Sequence, residues 1–339
     1  MPKVSFILPA YKRRFLKEAI DSILEQTCRD FELVVVDDKS PEGLYEVIGE
    51  YPWEKDFKTL PDGGRRWEVN GISVRYYQNE ENIGGKDLVE AWNHAMEFAT
   101  GEWCVLASDD DVYMPQYLEE MLRLAEKYPQ CDLFHCRVAV IDCEGEWLKV
   151  WAQWPEFQSY IQFAHAKRVR SFESCAPDFM FRRNALVLLA GFISFPKAIL
   201  SDDATWLMLA KNGVGCSSSI LLHWRESGEN ISTRTDILLS KLTAIEEFRL
   251  WFARFAAKLN PESTEDVILY RVILSNADAR IDAYAKHVVG SVVSFWECYR
   301  LLRASPQRPH VKRDCIYARF PRLRALRVLL PHFRVHKGK

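Results

Sequence analysis

Three apolar runs, Val4 to Leu8, Phe31 to Val36 and Trp103 to Ala107, recur along the first third of the chain with helical patterns between them. Continuous runs of this kind suit strands buried on both faces, as in a parallel sheet covered by helices. Phe15, Ala19, Ile20, Ile23 and Leu24 fall at helical spacing after the first run. A further strand fits Ser73 to Gln78 and a further helix Leu88 to Ala99. This series predicts an α/β fold with a doubly wound, mostly parallel sheet flanked by helices. The polar stretch between Tyr51 and Gly71 reads as an insertion or flap, with a tight turn at Pro61-Asp62-Gly63-Gly64.

After Thr233 the pattern changes. Leu238, Leu242, Ile245, Phe248, Phe252, Phe255 and Leu259 make a long amphipathic helix that Asn260-Pro261 stops. Ser263 and Thr264, followed by Glu265 and Asp266, start another. The expected division is an α/β domain over 1–232, with halves of about 1–115 and 116–232. A helical extension over 233–302 and a basic amphipathic tail over 303–339 follow.

The net charge of −2 conceals an asymmetry: residues 303–339 carry 11 Lys and Arg against one acid, leaving +10 there and −12 on the body. In the tail, Leu323, Leu326 and Leu330 fall on one side of a short helix and Arg322, Arg324 and Arg327 largely elsewhere. Such a segment suits an anionic membrane surface or an acidic protein face, and no nucleic-acid recognition motif accompanies the charge. Nine cysteines without a C-x-x-C pair suit a reducing compartment. With no transmembrane run and no signal-peptide pattern, a cytoplasmic place is expected, with peripheral contact at the inner face of the membrane.

Acidic residues cluster where strands end. Asp37-Asp38 follow the second run and Asp109-Asp110-Asp111 the last. In an open parallel sheet both clusters lie on the rim where ligands bind. Three consecutive carboxylates repel, and Mg²⁺ or Mn²⁺ relieves the conflict while bridging phosphates. A solvated turn that caps the next helix is the competing reading.

The ordered set of motifs resembles family-2 glycosyltransferases, which carry the nucleotide-sugar-binding GT-A fold, and in particular bacterial polysaccharide-biosynthesis members. The matching pieces are Val4-Ser5-Phe6-Ile7-Leu8-Pro9-Ala10-Tyr11, Ser22-Ile23-Leu24-Glu25-Gln26-Thr27, and Phe31-Glu32-Leu33-Val34-Val35-Val36-Asp37-Asp38-Lys39-Ser40. Asn82-Ile83-Gly84-Gly85, Gly101-Glu102-Trp103 and Ser108-Asp109-Asp110-Asp111-Val112-Tyr113-Met114-Pro115 complete them. The resemblance spans about Pro2 to Ser232, and the pieces are specific jointly rather than singly.

The resemblance implies that Pro9, Ala10 and Tyr11 line a nucleobase pocket and that Asp38 accepts a hydrogen bond from the base or ribose. Asn82 and Gly84 would shape the donor loop, and Lys86 would reach the diphosphate. Asp109, Asp110 and Asp111 offer two registers of the D-x-D motif for metal and ribose, and Ala107 replaces the family's usual first Asp. Trp92-Asn93 stands where the family often has Arg-Asn. Tyr11 and Lys86 also have ordinary readings, as a packing and a solvated residue.

On the acceptor side, Leu200-Ser201-Asp202-Asp203 is similar to the family's acidic pair, with Asp203 at the position of the general base and Ser201 or Asp202 capping the helix. Asp178 becomes a candidate acceptor contact. His223 is a candidate metal ligand or a satisfied structural residue, and Arg225 follows it in a strand that often brings a basic residue to the diphosphate. The implied reaction is inverting transfer from a nucleotide-diphosphate sugar, with UDP favoured by family habit, to a glycan or lipid-linked hydroxyl. The rivals are a non-catalytic nucleotide-sugar-binding protein, which would lack the acid triplet or Asp203, and a nucleotidyltransferase, whose first loop is usually Gly-rich. Here that loop, Pro9-Ala10-Tyr11-Lys12-Arg13-Arg14, has no glycine.

Overall fold

A computed structural model of the protein describes residues 2–51, 57–170 and 172–321. The first half alternates strands and helices: β1 (Val4–Ala10), α1 (Leu16–Leu24), β2 (Phe31–Asp37), α2 (Leu44–Gly49), β3 (Lys58–Thr59), β4 (Arg65–Val69), β5 (Ile72–Gln78), α3 (Leu88–Met96) and β6 (Trp103–Leu106). Then come β7 (Val112–Tyr113), α4 (Tyr117–Lys127), β8 (Leu133–Ile141), β9 (Trp147–Val150), β10 (Phe157–Gln158), α5 (Tyr160–His165) and a π-helical turn, Ala166–Arg170. β11 (Phe179–Arg182), α6 (Arg183–Leu188), α7 (Ser201–Leu209) and β12 (Val214–Arg225) close the sheet. Helices α8 (Leu238–Ala256), α9 (Thr264–Val289), α10 (Phe295–Ala304) and α11 (Pro309–Arg319) follow.

The strands form one mixed sheet in the order β10-β12-β8-β11-β6-β1-β2-β5-β4-β3, with β7 added on β12 and β9 on β8. β6, β1, β2 and β5 run parallel, whereas β11 is antiparallel to both its neighbours, β6 and β8. The central strands are buried on both faces, as their apolar runs require. Ile7, Val34 and Val36 enter one core; Phe6, Leu8, Leu33 and Val35 enter the other. Helices α1, α2 and α4 cover the second face, and α3, α5, α7 and α8 the first.

The expected flap is in fact the edge of the sheet. β4 pairs antiparallel with β5, and the turn at Pro61–Gly64 closes the hairpin from β3, with Gly63 at φ 85°. Composition alone hides this, because an edge strand exposed on one side reads as polar. A polar tie binds the interior: Glu32 pairs with Arg75 (2.7 Å) and accepts from Ser5 Oγ and Thr100 N.

α8 buries Leu242, Ile245, Phe248, Phe252 and Phe255 in the same core as α7, and Ser263 caps α9 by accepting from Asp266 N (3.0 Å). Helical structure continues past 302, since α11 begins at Pro309 and inserts Val311 and Cys315 into that core. The expected amphipathic segment around Leu323 to Leu330 lies outside the described residues. All nine cysteines are free thiols. Among the described residues, no helix is long and apolar enough to cross a membrane.

Candidate active site

A cleft of about 1200 Å³ opens above the carboxyl ends of β1, β2 and β6 and is closed on its far side by α7 and α9. Pro9, Ala10 and Tyr11 line it where β1 ends. Tyr11 leaves 41% of its surface exposed, while its backbone is held at both ends: its N–H donates to Asp109 Oδ2 (2.9 Å) and its carbonyl accepts from Ser40 Oγ (2.6 Å). The ring is therefore open and its base fixed.

Asp38 is fixed as well. Its carboxylate accepts from Asn79 Nδ2 (2.7 Å), Ile83 N (2.9 Å) and Gly84 N (2.7 Å), so it ties the 79–84 loop to the end of β2. Gly84 has to be glycine here, because a Cβ would lie 2.9 Å from Asp38 Oδ2. Asn82 turns inward to Gly85 N, shaping the same loop. Lys86 is placed elsewhere than expected: it is exposed, pairs with Glu81 (2.6 Å) and does not line the cleft. Trp92 does line the cleft, and Asn93 holds the backbone N–H of Phe192 (2.8 Å).

The three consecutive aspartates point to three different sets of partners, although their mutual repulsion persists. Asp109 accepts from Tyr11 N and Lys12 N (2.8 Å). Burial raises its pKa, with Lys12 working against the rise. Asp111 is 1% exposed and accepts from Arg225 N (2.8 Å); burial and the charge of Asp110 push its pKa well up. Asp110 accepts from Ser227 Oγ (3.2 Å), takes a hydrogen bond from Ser108 and stands 3.5 Å from Lys12 Nζ. Among the described residues no three acids, histidines or cysteines converge as a metal cage. Magnesium and manganese sites on phosphates need only one or two carboxylates, the rest coming from phosphate and water. Asp110 lines the cleft and fits that requirement, as the partners of its oxygens are two hydroxyls and an ammonium, with Glu226 and Glu229 also lining the cleft.

His223 and Arg225 stand apart from these positions. His223 packs edge-on against Trp147 (5.3 Å) and does not line the cleft, and burial lowers its pKa. The Arg225 guanidinium is buried: it donates to the Asp110 carbonyl (2.9 Å), pairs with Glu18 (2.7 Å) and covers the Phe15 ring. It anchors the acidic turn instead of reaching into the cleft.

The opposite wall is built by a constrained segment. Lys197, Ala198 and Leu200 all adopt positive φ (56°, 58° and 66°), a conformation costing roughly 1–2 kcal/mol per non-glycine residue. Phe195 N donating to Ser201 Oγ (2.9 Å) holds the segment, and α7 then starts with Asp202 and Asp203 in its first turn, where the helix dipole favours negative charge. Each Asp203 oxygen is ion-paired, one to Lys167 and the other to Arg168, both from the π-helical turn. Burial raises the Asp203 pKa, but the two cations outweigh it and hold the group below the ordinary range. Asp202 moves the other way: burial and the charge of Asp203 push it up to about 6.

Asp178 does not reach the acceptor space. It is 1% exposed, 4.0 Å from His135 Nδ1 and outside the cleft lining. Burial raises its pKa strongly, with Lys167 opposing. The residues that sequence reasoning passed over are Lys12, Lys167, Arg168, Ser227 and the α9 side chains Arg280, Ile281 and Tyr284, all but Ser227 on the cleft wall. The run Lys167-Arg168-Val169-Arg170 was the available signal, though a basic run has no direction until the fold points it somewhere.

The sheet order and the acid-lined cleft over its carboxyl edge define a GT-A-type nucleotide-sugar fold. The sequence pattern of glycosyl transferase family 2 matches residues 5–188, and the chain belongs to that family. It is 28% identical to the putative glycosyltransferase EpsE of Bacillus subtilis (strain 168) over 142 residues, 42% of this chain and 45% of that protein. It is 26% identical to the putative teichuronic acid biosynthesis glycosyltransferase TuaG of the same organism, over 62% of this chain and 73% of that protein. The chain thus spans under half the length of EpsE but most of TuaG. In fold it is similar to S. aureus TarS 1-349 in complex with UDP-GlcNAc, with a TM-score of 0.56 and 16% identity over 95% of this chain and 92% of that one. A mannosyltransferase from Pyrobaculum calidifontis in complex with GDP-Man and Mn²⁺ gives a TM-score of 0.50 at 18% identity, over 98% of this chain and 88% of that one.

Proposed function

We propose that this family-2 glycosyltransferase moves a sugar, with inversion, from a UDP-sugar to a hydroxyl of a glycan or lipid-linked acceptor. The observation that carries this reading is the cleft itself, with the donor-side residues Tyr11, Asp38 and Asp110 on one wall and Asp202 and Asp203 on the other. An inverting displacement needs a leaving-group site and a base on opposite sides of the anomeric carbon. A UDP donor is supported by the UDP-GlcNAc-bound neighbour, and a glycan acceptor by the teichuronic acid relative.

In this reading Tyr11 stacks on the base and the Asp38-held loop encloses the ribose. Lys12 lies beside Asp110, where it meets negative charge on the departing diphosphate. A divalent cation held there by Asp110 and the donor phosphates would add stabilisation of the leaving group. Asp203 accepts the proton of the attacking hydroxyl, and Lys167 and Arg168 keep it ionised beforehand. Both cations must give up part of their hold as the acceptor arrives, because a doubly paired carboxylate is a weak base. The residues assigned to the site fall within 1–232, with α9 of the extension completing the wall.

The test is a screen of nucleotide sugars for binding and hydrolysis, with Mn²⁺ or with EDTA, on the wild type and Asp203→Asn. Release of one nucleoside diphosphate, slowed about 10²–10⁴-fold in the variant with donor binding retained, is expected for loss of a general base. Failure of every nucleotide sugar to bind would overturn the reading.

A further inference from the structure

The surface around α10 is an exposed apolar and basic face. Trp296, Tyr299, Arg300 and Arg303 fall at spacings of 0, 3, 4 and 7, which places them on one side of the helix, and all four are exposed. Trp296 leaves 66% of its surface exposed, and Val293, in the turn just before the helix, leaves 78%. The aromatic end is an ordered cluster: Phe295 stacks with Tyr299 (6.4 Å) and meets Trp296 at 5.4 Å, and Trp296 meets Tyr299 at 6.3 Å. Among the described residues no acid pairs with Arg300 or Arg303. Glu297 is also exposed and lies three positions before Arg300, at the edge of this face.

Charge in the rest of the sequence indicates the partner. Phe320, near the end of the described residues, packs on Phe295 (5.8 Å) beside this patch. Residues 322–339 contain six Lys and Arg and no acid. We propose that this patch is a docking surface for an anionic lipid bilayer, with Val293, Trp296 and Tyr299 entering the interface and Arg300 and Arg303 meeting the headgroups. Amphipathic aromatic rings settle at the headgroup level, and cations beside them add attraction to anionic lipid. A second copy of the chain is the competing occupant, since aromatic residues and Arg are also enriched at protein interfaces. Tyr284, which lines the cleft, stands five residues, about 7.5 Å of helix rise, before the end of α9 at Val289, and Val293 follows four residues further on.

The test is flotation of the full chain with phosphatidylcholine vesicles, with and without phosphatidylglycerol. The wild type should float with the anionic vesicles and not with the neutral ones. Trp296→Ala with Tyr299→Ala should lower the affinity for anionic vesicles at least about tenfold, as should Arg300→Glu with Arg303→Glu. Unchanged circular dichroism and donor binding in both variants would show that the fold is kept. Absence of wild-type flotation would overturn the proposal, as would flotation of the aromatic variant equal to wild type, which would assign binding to the basic chain alone. A wild-type dimer in gel filtration that the aromatic variant converts to monomer would overturn it in favour of a contact between copies. Flotation does not depend on turnover, so its failure would leave the reading of the cleft standing.

Discussion

Lys167 joins Asp203 to the buried interior: its ammonium pairs with one Asp203 oxygen and donates to Ser174 Oγ (2.5 Å), while its charge also acts on Asp178 beneath the cleft floor. Lys167 is 4% exposed, so this is a buried ammonium with three dependants. Lys167 therefore bears directly on the protonation of Asp203.

Replacing Lys167 with Met should therefore move the acid side of the rate profile. The cations hold the Asp203 pKa down, and removing one raises it, so the carboxylate protonates at a higher pH. kcat for the variant should fall off at higher pH than kcat for the wild type, while at alkaline pH the two rates converge. A variant profile superimposable on that of the wild type would remove Lys167 from this role.

Asp202 offers a stability test with a definite sign. Its folded pKa is raised to about 6, above the unfolded value of about 3.9. The folded state therefore retains a proton that the unfolded chain releases, and stability falls as pH rises from about 4 to about 6. Asp202→Asn should remove that loss and raise Tm at pH 7.5 relative to the wild type, with little difference at pH 4. The gain at neutral pH is at most about 3 kcal/mol. Thermal unfolding at the two pH values measures it.

Asp110→Asn should separate metal from nucleotide. Since Asp109 and Asp111 are engaged with backbone N–H groups, Asp110 is the carboxylate left for a cation. Calorimetric binding of the donor should lose most of its Mn²⁺ enhancement in this variant, with metal-free affinity retained. Enhancement kept in full would place the cation elsewhere.

Arg225→Ala should destabilise the protein although Arg225 is not part of the cleft wall. The guanidinium donates to the Asp110 carbonyl and to the Asp142 carbonyl (3.0 Å), and its loss leaves the carbonyl of the buried Asp110 without that donor and Glu18 without its partner. About 2–4 kcal/mol is expected in urea unfolding, by comparison with other buried charged hydrogen bonds. Donor affinity should fall as well, because the acidic turn loses its anchor.

Much of the donor half was legible in the chain. A strand buried on both faces must be apolar at every position, so Val4 to Leu8 and Phe31 to Val36 announced a covered parallel sheet. Acids at the strand ends were expected on one rim from that topology, which is how Asp38 and Asp110 could be named together, whereas Tyr11 was implied by the family resemblance; all three line one cleft. Direction was not legible. Asp109, Asp110 and Asp111 are identical in type and adjacent, yet hydrogen bonds to Tyr11, Ser227 and Arg225 send them three ways. Lys86 and Arg225 looked like phosphate ligands, whereas Glu81 holds one on the surface and Glu18 the other in the interior. Lys167 and Arg168 drew no assignment from the sequence, because a basic run has no direction until, here, a π-helical turn aims both at Asp203. The sequence by itself determined the fold class and the order of the chemistry along it, because burial imposes periodicity locally. The pairing of charges was decided only by the tertiary structure, because which oxygen meets which cation depends on elements brought together from distant parts of the chain.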